Sequence, residues 1–311
     1  MTRKGKIQTV KGIIEPKDLG MTMTHEHVFI EFPSTMNIPP EESHKKQVYN
    51  EPLSLKNRGL IYHHGWSNSD DRKIVNFDIS VNEIQKYKAA GGGAVVDATS
   101  IGIARDPEGL LKVSNLTDIH IIMGAAYYVY LAHPPEVARM TIEDLAGVII
   151  NDVNVGVGSL KIKSGIIGEV GLSHPLHKDE EKVLIASAVA QQETGAPILI
   201  HPGRDEKAPI VAIDILKKSG ADLSNTIMGH LDRTVFEKDT LLELAESGCY
   251  LEWDLVIALQ HSDMHCPMYS QMKEYHMVIH YHLVLQLHTS ITSQSSMIDS
   301  KNLWRNLVLI N

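Results

Sequence analysis

The sequence predicts an α/β fold of the (β/α)8 type, a TIM barrel whose eighth βα unit is missing or replaced by an unrelated C-terminal tail. Three observations predict it. Short apolar runs alternate with amphipathic segments at roughly 25–30 residue spacing, as repeated βα units of a parallel sheet require. Seven such runs occur, one short of a closed barrel. The rhythm then stops after Asp254, and no further βα unit follows. The expected domains are therefore a barrel over residues 1–256 and a divergent, His-rich tail over 257–311. A doubly wound sheet is the weaker alternative, because no glycine fingerprint follows the first strand.

Taken in order, residues 8–30 form two short apolar runs broken by Pro16 and Gly20. The second contains Thr24-His25-Glu26-His27-Val28-Phe29-Ile30, the first barrel strand. Residues 31–75 carry Pro33, Pro39, Pro40 and Pro52, then His63-His64-Gly65 and a polar run at 67–71, which predicts a long loop with room for a short helix. Adjacent His63 and His64 point in opposite directions and are expected to be surface histidines. Residues 81–90 have helical spacing, and Gly91-Gly92-Gly93 is expected to end that helix as a turn. A strand at 94–99 follows, apolar throughout as a strand buried on both faces is.

Helix 107–115 leads to strand 119–125, and helix 141–151 to strand 165–170. Helix 179–194, ended by Gly195, leads to strand 196–201; helix 209–219, ended by Gly220, to strand 226–230; and helix 236–247, ended by Gly248, to strand 249–254. In the tail, residues 279–287 alternate apolar and polar as a half-buried strand does. That strand is expected to fill part of the gap left by the eighth unit. Six of the 17 histidines lie beyond residue 260, irregularly spaced and so expected to be solvated.

The totals narrow the class. Of the 311 residues, 43% are hydrophobic and 22% charged, ordinary for a globular protein. A net charge of −9 argues against a nucleic-acid or anionic-membrane surface. No apolar run is long enough to span a membrane, and no apolar core follows the basic start, so neither a membrane anchor nor a signal peptide is expected. Two cysteines, Cys249 and Cys266, cannot build a disulfide framework. A cytoplasmic protein acting on a small molecule is the expectation, with a homo-oligomer left open.

The chemistry centres on His25 and His27. Two imidazoles two residues apart on a strand share one face and can both reach one metal ion. Barrel function sits at the C-terminal ends of the strands, and Glu169, His201 and His230 end the fourth, fifth and sixth. An isolated carboxylate is costly to bury, so Glu169 needs partners. Five ligands suit two ions: His25 and His27 on one, His201 and His230 on the other, with Glu169 offering one oxygen to each. A pair of divalent ions sharing a hydroxide hydrolyses esters, amides or phosphoesters.

These motifs, Gly20-Met21-Thr22-Met23-Thr24-His25-Glu26-His27, Ile167-Gly168-Glu169-Val170-Gly171, His201-Pro202-Gly203-Arg204 and Gly229-His230-Leu231-Asp232-Arg233-Thr234, resemble the phosphotriesterase family of the amidohydrolase superfamily from about residue 8 to about residue 256. The resemblance implies a (β/α)8 barrel with two zinc-type ions and a bridging glutamate at Glu169. It implies cleavage of phosphotriesters, lactones or N-acyl amides, and favours N-acyl amino acid and N-acetyltaurine-type amides. Arg204 and Arg233 each follow a ligand histidine by three residues and either clamp an anionic substrate group or sit on surface loops. Tyr127 and Tyr128 follow the third strand and either line the pocket or pack in the core.

One departure stands out. The family ends its eighth strand with an aspartate that ligates the first metal and accepts a proton. Asp263 and Asp299 are the only aspartates in the tail, and neither has a matching context. No catalytic residue beyond the ligands is therefore assigned. Two outcomes stay open: a working hydrolase, or an impaired variant that binds metal without turnover.

Overall fold

The computed structural model describes residues 5–64, 68–254 and 283–285. Its strands are β1 (Ile7–Thr9), β2 (Gly12–Ile14), β3 (Met21–Glu26), β4 (Ile30–Glu31), β5 (Lys73–Ile74), β6 (Gly92–Asp97), β7 (His120–Ala125), β8 (Ile166–Gly171), β9 (Ile198–His201), β10 (Thr226–Met228), β11 (Tyr250–Trp253) and β12 (Leu283–Leu285). The helices are α1 (Ser43–Asn50), α2 (Arg58–His64), α3 (Phe77–Ala89), α4 (Pro107–Thr117), α5 (Ile142–Asn154), α6 (Lys178–Thr194), α7 (Ala208–Lys218) and α8 (Lys238–Glu246).

Seven strands run parallel in the order β3-β6-β7-β8-β9-β10-β11 and curl into an incomplete TIM barrel. All seven expected runs are strands of this sheet. β8 is buried at all six positions, which is why its sequence is a near-continuous apolar run. The helices start where their caps dictate. Asn76 accepts the Asp78 and Ile79 amides at α3, Thr141 and Asp144 form a capping box at α5, and Gly195 ends α6 at φ +71°.

Inside the curl, Ala94, Val96, Ile122, Ile166, Leu199, Ile227 and Tyr250 form one layer, closed from below by Ile7 of the β1–β2 hairpin and by Leu19. Outside it, Ile167, Val170, Ile198, Ile200 and Leu251 pack against Leu145, Ile149, Leu184 and Leu216 of the helices. Strict alternation from Ile166 would send Glu169 outward with Ile167. A register shift between Ile167 and Val170 along the β8–β9 ladder reverses it, so Glu169 points inward. Gly168 sits at that irregularity with φ +131°, and a Cβ there would lie 2.3 Å from the Leu199 carbonyl oxygen.

Three expectations are corrected. Gly92 and Gly93 belong to β6 instead of a turn, because the chain passes too close for side chains: a Cβ on Gly93 would sit 2.5 Å from the Leu19 carbonyl, and one on Gly92 2.3 Å from the Tyr87 ring. Residues 31–75 hold two short helices, α1 and α2, where one was expected, and the segment is pinned at its base by the antiparallel β4–β5 pair. The first barrel strand ends at Glu26, earlier than expected, because Val28 turns its amide onto the Asp97 carboxylate at 2.8 Å.

Within the expected 279–287 strand, Leu283–Leu285 pairs antiparallel with β11, Leu251 opposite Leu285 and Trp253 opposite Leu283. It extends the sheet beyond β11 but does not close it, since β6 is the only sheet partner of β3 among the described residues. The tail histidines lie outside the described residues. No helix among the described residues is long and apolar enough to cross a membrane.

Gly93→Ala is expected to lower stability by about 1–3 kcal/mol through overpacking. Gly147→Ala, on α5 with open space around the added methyl, is expected to gain about 0.5–1 kcal/mol from helix propensity. Urea unfolding midpoints check both, and equal midpoints would contradict the close approach at Gly93.

Candidate metal centre

The C-terminal strand ends bring His25, His27, Glu169, His201 and His230 together. Glu169 is fully buried. Its Oε2 lies 3.0 Å from His25 Nε2, 2.6 Å from His201 Nδ1 and 3.5 Å from His230 Nε2, while Oε1 lies 3.3 Å from His27 Nε2. One carboxylate thus touches four imidazoles from three strand ends, those of β3, β9 and β10. His230 Nε2 is also 3.0 Å from His201 Nδ1. His230 reaches this position in the left-handed region, at φ +54°.

Neighbouring groups fix which ring nitrogens face the centre. Thr99 Oγ1 donates to the Phe29 carbonyl at 2.9 Å, so it accepts from His27 Nδ1, also at 2.9 Å. That leaves His27 Nε2 with its lone pair toward Glu169. Asp97 supports the loop by accepting the amides of Val28 and Thr99, and burial pushes its carboxyl up to about 6. Arg233 donates from Nη2 to His201 Nε2 at 3.0 Å, which places the His201 proton on Nδ1 beside Glu169.

Two acids that sequence reasoning did not single out complete the centre. Glu252 and Asp254, two residues apart at the end of β11, both face the interior above Tyr250. Asp254 Oδ2 lies 2.9 Å and Glu252 Oε2 3.2 Å from His25 Nδ1, and Asp254 Oδ1 lies 2.7 Å from His230 Nδ1. Gly229 leaves them room: a Cβ there would stand 3.3 Å from Glu252 Oε2 and 3.4 Å from Asp254 Oδ2. The signal was available, since Glu252-Trp253-Asp254 has the same period-two spacing as the histidine pair.

The other expected residues divide. Tyr128 faces the centre with its hydroxyl 3.5 Å from His201 Nε2. Tyr127 packs in the outer core near Val137 and Leu145, its ring edge against His133. Arg233 is half-buried on His201; Arg204 is exposed, near enough for its charge to depress the Arg233 pKa further after burial has done so.

Burial opposes charge on His25, yet the Asp254 and Glu169 carboxylates outweigh it and hold its pKa well above the usual histidine value. Burial and the His25 charge oppose protonation of His230, and Asp254 and Glu169 again raise it. Burial pushes His201 down to about 4. Burial would raise Glu169, but His201 and His25 hold its carboxyl well below the usual range. Three groups offer ligand atoms within 4.8 Å of one another: His25, His27 and Glu169; Glu169, His201 and His230; and His25, His230 and Asp254. Ligands about 2.0–2.1 Å from a tetrahedral ion sit about 3.3 Å apart, close to the spacings found here. Glu169 Oε1 and Glu252 Oε1 are buried without a hydrogen bond, an unmet demand that cations satisfy. The donor set fits a binuclear metal site.

Because its neighbours raise the His25 pKa, an ion held by His25 would compete with a proton for the ring. Zinc affinity is therefore expected to fall as pH drops below 7. Calorimetric zinc titrations at pH 7 in two buffers of different ionisation enthalpy are expected to differ in heat, and identical heats would contradict that competition.

Comparison with known proteins agrees with this geometry. The description "Phosphotriesterase family" matches residues 5–284. A human "N-acetyltaurine hydrolase" is 43% identical over 252 residues, covering 81% of this chain and 72% of that protein. A "Phosphotriesterase-related protein" of Nematostella vectensis is 42% identical over 253 residues, with the same coverage. Among solved structures, a resiniferatoxin-binding protein from Rhodobacter sphaeroides superimposes with a TM-score of 0.78 at 30% identity, covering 81% of this chain and 70% of that one. A phosphotriesterase homology protein from Escherichia coli, complexed with phosphate in its active site, shares the fold at a TM-score of 0.62 and 24% identity, covering 77% of this chain and 71% of that one. The chain belongs to the phosphotriesterase family and is one of its metal-dependent hydrolases.

Proposed function

We propose that this protein hydrolyses N-acyl amides of small anionic amines, of the N-acetyltaurine and N-acyl amino acid type, in the cytoplasm. The supporting observation is the Glu169 carboxylate in contact with four imidazoles. In this reading His25 and His27 hold one divalent ion, His201 and His230 the other, and Glu169 serves both, with zinc the metal such nitrogen-rich ligands favour. Bound ions supply the Lewis acidity that activates water and polarises the acyl oxygen.

The rest is the work of this chain's side chains. Arg233 has a buried Nη1 with no hydrogen bond and Arg204 lies nearby, so two cations face an unmet demand for an anion. A sulfonate or carboxylate meets it by charge-assisted hydrogen bonds. Tyr128, whose hydroxyl burial keeps protonated far above neutral pH, stands beside His201 as a donor toward the substrate's acyl end. The 43% identity to a human N-acetyltaurine hydrolase supports the amide class over phosphoesters.

A second reading, metal binding with impaired turnover, is favoured by one observation. β12 runs antiparallel beside β11 where the family's eighth parallel strand would bring its aspartate. An N-acetyltaurine assay on zinc-loaded protein separates the two. Turnover that chelation removes and His201→Ala abolishes is the expected result; two bound zinc ions with no turnover would establish the impaired variant. Arg233→Met is expected to raise KM for N-acetyltaurine roughly 10–100-fold, the worth of a hydrogen bond to a charged group. An uncharged N-acetyl amide should change far less, and equal effects on both substrates would remove Arg233 from the anion site.

A further inference from the structure

We infer that Asp254 is a positioning residue that ties the two ion sites together by orienting one imidazole from each. Its two carboxylate oxygens are divided between them: Oδ1 takes His230 Nδ1 at 2.7 Å, and Oδ2 takes His25 Nδ1 at 2.9 Å. Oδ2 also accepts the His230 backbone amide at 3.2 Å. That third bond holds a backbone in the left-handed region, at φ +54°, which a β-carbon disfavours. The Asp254 side chain is 2% exposed, so solvent does not replace these partners.

The consequence follows from imidazole chemistry. A neutral ring has one proton, and a carboxylate at Nδ1 keeps that proton there, leaving the Nε2 lone pair free. On both His25 and His230, Nε2 is the nitrogen that faces Glu169. Asp254 therefore presets the same tautomer on one histidine of each pair. Glu252 approaches only His25, at 3.2 Å, and reinforces a single site. An asparagine at 254 would carry no charge and would turn an NH2 donor toward one of the rings, so neither Nδ1–H would keep its charge-assisted bond to residue 254, and only His25 would still have Glu252 beside it.

This inference rests on the ion assignment made above, and the test separates the two. Apo full-length protein is titrated with Zn2+ against a chromophoric chelator, for wild type, Asp254→Asn and Glu252→Gln, with imidazole N–H resonances recorded on each zinc-loaded form. Wild type is expected to bind two ions. Asp254→Asn should still bind two, with both affinities about 10–100-fold weaker and at least one hydrogen-bonded Nδ1–H resonance lost. Glu252→Gln should weaken one ion only. Unchanged affinities, a loss confined to one ion, or a drop to one ion in Asp254→Asn would overturn the tie. Wild type binding no zinc would overturn the ion assignment with it. If Asp254→Asn does not fold, Asp254→Glu, which keeps the charge but displaces both oxygens, carries the same expectations.

Discussion

The structure depends on one buried charge. Glu169 is sealed from solvent, and an isolated carboxylate there would be costly; the imidazoles gathered around it, His201 and His25 foremost, are what make the position tenable. Much of the barrel's irregularity serves that contact. The β8 register shift turns Glu169 inward, and Gly168 supplies the backbone freedom. Gly124 on β7 has no room for a side chain because a Cβ would lie 2.0 Å from the Gly168 carbonyl. A second shift, between Met23 and Glu26 on the β3–β6 ladder, brings His25 to the same centre, where alternation from the outward Met23 would have carried it away.

The incomplete barrel changes how the centre is supported. Seven strands deliver the four histidines and Glu169 without an eighth, because these ligands all arise from β3, β8, β9 and the ends beyond β3 and β10. On the side where the family's eighth strand would stand, the ends of β3 and β10 are joined by Asp254, through His25 and His230. A sheet edge left bare is an association hazard. β12 covers the edge of β11 for three residues, with β3 at the opposite end of the sheet.

The elements were legible because strands buried on both faces leave near-continuous apolar runs, and the helices between them carry ordinary caps and terminal glycines. The histidines were legible because they stand at strand ends. The inward turn of Glu169 was not, since a register shift has no sequence mark beyond Gly168, and glycines at strand ends are common. Gly92 and Gly93 looked like punctuation because the Tyr87 ring and the Leu19 carbonyl that exclude their side chains are matters of packing. Glu252 and Asp254 were overlooked although their alternation matched that of His25 and His27. Tyr127 and Tyr128 are neighbours, and the alternation of an extended chain separates them: one joins the core and the other reaches His201.

Anomalous diffraction at the zinc edge, on crystals of the zinc-loaded chain, would locate the ions relative to Glu169. Two peaks are expected flanking the Glu169 carboxylate, one against His25 and His27 and the other against His201 and His230. A single peak, or none within reach of Glu169, would contradict a two-ion centre.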